Sequence, residues 1–136
     1  MHLFSRSIHM MGPVPEVTAH ATEVRAYVSK KSGQEFSLWS LMFGAPVGTF
    51  LYTTRVDGLA GVQAMAQSLA ADETWDAMVA RGSAWTTEAP VDALGEAVHG
   101  SLEAGPPPAG SVATFTTAVI ANGAYAAAIA WGADVA

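Results

Sequence analysis

Apolar and polar positions change period several times along the chain, and each change marks an element. Residues 2–11, HLFSRSIHMM, read as a strand stopped by the turn Gly12-Pro13-Val14-Pro15. One face carries His2, Phe4, Arg6, Ile8 and Met10 and the other Leu3, Ser5, Ser7, His9 and Met11, so neither is purely apolar. From Glu16 to Ser32 the apolar residues Val17, Ala21, Val24 and Val28 recur at helical spacing, with Pro15 at the start. Lys30 and Lys31 sit where the helix dipole is negative, and Gly33 supplies a left-handed cap. Residues 35–43, EFSLWSLMF, and 48–56, GTFLYTTRV, are aromatic and β-favouring on both sides of Gly44-Ala45-Pro46-Val47, which predicts a β-hairpin. Both runs are partly apolar on each face, the pattern of a sheet covered on both sides.

Asp57 is positioned to cap a second helix with an inward stripe of Leu59, Val62, Met65 or Ala66, and Leu69. A short helix is expected from Asp72 to Arg81, with Trp75, Met78 and Val79 inward and Gly82 as its stop. Residues 92–102, DALGEAVHGSL, read as a fourth strand weakened by Gly95 and Gly100. Residues 105–110, GPPPAG, continue neither regular structure and form a stiff linker. Beyond it, SVATFTTAVI is a strand candidate and ANGAYAAAIAWGADVA a helix candidate. Sliding the chain by 111 positions lays Ser5 on Thr116, Ile8 on Val119, Gly12 on Gly123, Ala19 on Ala130, Glu23 on Asp134 and Val24 on Val135. Strand, glycine turn and helix then follow at one offset, as in a repeat, although an Ala-rich helix also aligns readily with unrelated ones. The expected organisation is a domain over 1–104, the linker over 105–110 and a partial second repeat over 111–136.

Composition changes this picture in three ways. Of the 136 residues only 13% are charged, against about 25% in ordinary globular proteins, which favours burial against a partner. Six basic residues face twelve acids, the reverse of what a phosphate backbone requires, so nucleic acid is not an expected partner. The absence of cysteine excludes disulfides, thiolate nucleophiles, iron–sulfur clusters and Cys-ligated zinc. The N-terminus has no basic segment followed by an apolar run, so no secretory signal is read and a cytoplasmic location is expected. The uncharged stretch from Ala104 to Ala133 holds three prolines, Asn122 and many alanines and is not read as a membrane span.

The order strand, helix, hairpin, helix, short helix, strand resembles the dimeric α+β barrel superfamily. The stretch SLWSLMFGAPVGTFLYTTRVDGLA, residues 37–60, looks most like its NIPSNAP-like and related uncharacterised actinobacterial branch. The resemblance covers roughly 2–102 and returns at 111–136, on packing and turn motifs, not catalytic ones. It implies an α+β, ferredoxin-like half-barrel whose antiparallel sheet has helices on one face and a second sheet, from another subunit or repeat, on the other. A homodimer and an interior pocket follow from it. Superfamily members include cofactor-free monooxygenases of aromatic polyketides, haem-degrading enzymes and domains without known activity, and the resemblance does not choose among them.

The residues carry no catalytic signature: GxSxG, Walker-type and GxGxxG sequences are absent. His2, His9, His20 and His99 have no metal-ligand spacing, so neither metal nor cofactor is expected, and His20 reads as a partly buried or surface histidine. His99 on the expected fourth strand is a haem-ligand candidate if it points into a barrel. Arg6 and Arg55 within strands require either a partner, with Glu96 the nearest in type, or exposure at strand ends. Trp39, Phe43, Phe50 and Tyr52 suit either a ligand-binding lining or a core. The candidate ligand-binding set is therefore Arg6, His9, Trp39, Tyr52, Arg55 and His99, with no catalytic residue assigned. The function expected is a self-associating barrel domain binding a small hydrophobic ligand or serving as an assembly module; the alternative is a cofactor-independent monooxygenase of a small aromatic substrate.

Overall fold

Alternation in the first and third strands decides which way the sheet faces. The computed structural model describes residues 1–100, 102 and 105–135. Strand β1 (His2–His9) lies between β3 (Thr49–Val56) and β4 (Val91–Glu96), and β2 (Ser37–Ser40) pairs with the far side of β3. All pairs are antiparallel, giving the order β2-β3-β1-β4. The register sets Phe4 opposite Thr54 and Leu94, Ile8 opposite Phe50, and Leu38 opposite Tyr52. These side chains share the face on which the helices pack, where Phe4, Phe50, Tyr52 and Val56 are buried. The order is that of a ferredoxin-like α+β domain.

Helix α1 (Val14–Ser32) lays Val17, Ala21 and Val28 on this face. Each valine, fully buried, contributes about 1.5–3 kcal/mol, and the alanine methyl about 0.8 kcal/mol. The helix ends as its sequence requires: Gly33 adopts φ 70° and donates its N–H to the Ser29 carbonyl at 3.1 Å. Helix α2 (Gly58–Leu69) adds Met65 to the core, with Val62 and Leu69 partly buried beside it. Helix α3 (Glu73–Gly82) buries Met78. No helix among the described residues is long and apolar enough to cross a membrane.

Several expectations are corrected. The first strand stops at His9, with Met10 continuing only as an isolated bridge to Thr86. The hairpin strands are shorter than expected because residues 41–48 form the turn. Leu59 and Val79 are 77% and 51% exposed, outside the stripes assigned to them. Asp57 makes no side-chain cap, whereas Asp72 caps α3 by accepting from the Thr74 and Trp75 amides. Gly82 belongs to α3 and is buried, so it does not act as the stop. The fourth strand spans Val91–Glu96, not 92–102. No strand forms over 111–120: these residues pair with neither edge of the sheet and are exposed. The helix expected after them is present as α4 (Tyr125–Val135).

Candidate functional site

The sheet face away from α1 and α2 carries Leu3, Ser5, Ser7 and His9 from β1, Leu51, Thr53 and Arg55 from β3, and Trp39 from β2. It is half-buried although no helix of the domain packs on it. Trp39 is fixed there by its indole N–H, which donates to Thr53 Oγ1 at 2.9 Å. Its cover is the C-terminal segment: the Phe115 ring meets the Trp39 ring edge-on, centroids 5.7 Å apart at 82°. Between segment and sheet lies a hollow of about 210 Å³ lined by Leu3, Trp39, Thr53, Arg55, Pro107 and Phe115. Arg55 also lines an adjoining hollow of about 420 Å³ with Gln34 and Glu35. Among the described residues no carboxylate forms an ion pair with Arg55.

Of the six candidate residues, only Trp39 and Arg55 meet in this hollow. His9 shares their face at the far end of β1, where its Nε2 lies 3.1 Å from the Val47 carbonyl. It lines a separate, methionine-rich hollow of about 670 Å³ between the β1–α1 turn and the hairpin. Arg6 and Tyr52 stand opposite each other on the helix-covered face. The Tyr52 hydroxyl donates to the Ala21 carbonyl at 3.2 Å, and burial pushes its phenol pKa up. Arg6 is held at two points by Asp92, both contacts at 2.7 Å, and not by Glu96. These hydrogen bonds raise the guanidinium pKa further. His99 is exposed, beyond the end of β4. Phe50 and Tyr52 belong to the core, whereas Phe43 is 90% exposed at the hairpin.

Sequence reasoning missed Phe115, Pro107 and Glu35. The signal for them is the uncharged run after the proline linker, whose composition suits an apolar face as well as it suits a strand. Chemically the hollow offers the rings of Trp39 and Phe115, the aliphatic side chain of Leu3, one cation, Arg55, and one carboxylate, Glu35. Among the described residues no group of three or more metal-ligating side chains comes together.

No protein-family model matches the chain, and no curated protein is similar to it. Solved structures do share its shape. A NIPSNAP domain protein from Burkholderia xenovorans superposes with a TM-score of 0.60 at 16% identity, over 75% of this chain and 97% of its own. An antibiotic biosynthesis monooxygenase superposes at 0.53 and 16%, over 73% of this chain and 100% of its own. SnoaB, a cofactor-independent oxygenase from Streptomyces nogalater, gives 0.52 and 15%, over 75% and 97%. At these identities the likeness establishes the fold and leaves the chemistry open.

Proposed function

We propose that this chain is a self-associating α+β barrel domain that binds a small hydrophobic ligand on the open face of its sheet. The observation that carries the reading is the placement of Leu3, Trp39 and Leu51 on a face that no helix of the domain covers. A second copy meeting it face to face would close a barrel over Trp39 and Arg55, with its own sheet in the place of Pro107 and Phe115. Division into a barrel domain over 1–104, a linker over 105–110 and a C-terminal unit over 111–136 is part of the same proposal, as is residence in the cytoplasm.

Two measurements test it. Sedimentation velocity across a dilution series is expected to give a monomer–dimer equilibrium, and Leu51→Asp to abolish the dimer while the far-UV spectrum stays native. An anilinonaphthalene sulfonate dye is expected to brighten on binding, and Trp39→Ala or Arg55→Ala to weaken its binding several-fold. A monomer at every concentration refutes the first half of the proposal, and dye binding indifferent to both substitutions the second.

Shape likeness to cofactor-independent oxygenases favours a second reading, oxidation of an aromatic substrate in the same hollow. Against it, His9 lines a separate hollow and lies outside the one at Trp39. Oxygen uptake in the presence of a small hydroxylated aromatic, abolished by Arg55→Ala, would favour oxidation over binding alone.

A further inference from the structure

The segment from Pro106 to Phe115 crosses the face on which self-association is proposed. Pro106, Pro107 and Phe115 all line the hollow over Trp39, and Phe115 makes the edge-on contact with its ring. Four observations bear on what this segment does. Three solved structures of this shape are matched over 97–100% of their length by 73–75% of this chain, so those folds are complete without an equivalent of the remaining quarter. No charged residue occurs between Glu103 and Asp134, so laying this stretch on an apolar face desolvates no ion. The run Pro106-Pro107-Pro108 is extended before it docks, which reduces the entropy lost on docking. Phe115 remains 52% exposed and the segment has no ladder to either edge strand, so its hold is slight and reversible.

We infer that residues 105–120 are an intramolecular strap that competes with a second copy of the chain for the open sheet face and so sets the concentration at which the protein self-associates. The inference rests on the self-association reading above. Strap and partner need the same surface and both copies must be strap-open to dimerise, so the apparent dimer affinity is reduced by the square of the strap-open fraction. A half-exposed edge-to-face aromatic pair limits the reduction to about two- to tenfold per copy, about four- to a hundredfold for the dimer.

The test is the dimer dissociation constant of the full-length chain and of full-length Phe115→Ala, by sedimentation velocity, with and without an excess of a synthetic peptide spanning residues 105–120. Phe115 contributes nothing to the buried core, so the variant is expected to keep the native melting temperature to within a few degrees. Phe115→Ala is expected to dimerise about four- to a hundredfold more tightly, and the peptide to return it towards monomer. Equal dimerisation with and without Phe115, or no response to the peptide, overturns the competition and leaves self-association standing. Weaker dimerisation of Phe115→Ala also overturns it, because Phe115 would then belong to the interface. A monomer in every form removes self-association and the competition together.

Discussion

His20 is buried at the contact of α1 with α3, its ring edge-on to Trp85 at 5.4 Å, and its Nδ1 has no hydrogen-bond partner. Burial lowers its pKa, the nearby Arg81 charge lowers it further, and Glu23 partly opposes both. The native state therefore holds the neutral ring. Its contribution to stability is complete above the ordinary histidine value of about 6.5 and is lost as pH falls through the lower folded value. Urea midpoints are expected to decline below about pH 6.5, and His20→Gln to flatten that part of the profile. A histidine on the helix was visible in the sequence, but its isolation was not, because Trp85 and Gly82 reach it from a distant stretch of chain. Tyr52 is a second residue whose role needed the fold. Tyr52→Phe is expected to cost about 1 kcal/mol by denaturant titration, the net worth of one buried hydrogen bond.

Among the elements, α1 and the hairpin were legible and the end of β4 was not, for one physical reason. α1 and β3 each bury a face, so Val17, Ala21 and Val28 recur at helical spacing and Phe50 and Tyr52 at strand spacing. β4 is an edge strand with only Leu94 partly buried, so little alternation marks where it ends. Besides the Glu23–Arg81 ion pair, a close approach at a glycine joins α1 and α3. A Cβ built on Gly82 of α3 would stand 2.6 Å from His20 Nε2, and Trp85 limits how far that ring can retreat. Alanine at an ordinary helix position is favoured over glycine by about 1 kcal/mol. Here overpacking should outweigh that gain, and Gly82→Ala is expected to be destabilising by about 1–3 kcal/mol. Combining it with His20→Ala should recover much of the loss, a coupling that a double-mutant cycle in urea measures directly. Strict additivity would mean that the two residues do not meet.

For the whole molecule, the sheet domain and its C-terminal quarter differ in what holds them. All the residues of the buried core lie between Phe4 and Met78, and the hydrophobics packed against it end at Leu94. This explains why fold class was readable while the site was not: periodicity reports a chain's own core, whereas the hollow at Trp39 is completed by a segment held through one ring and a few prolines. It also fixes how the molecule should come apart. Residues 111–123 are exposed, so a non-specific protease in limiting amount is expected to cut there before entering the sheet. The surviving N-terminal fragment should melt only a few degrees below the intact chain, because an aromatic pair contributes about 0.5–1.5 kcal/mol and a domain of this size shifts by about 4–8 °C per kcal/mol. Mass spectrometry of the digest and a thermal melt of the fragment check both statements. A fragment unfolded at room temperature would mean that the C-terminal quarter belongs to the cooperative unit, and the strap would then be structure and not a competitor.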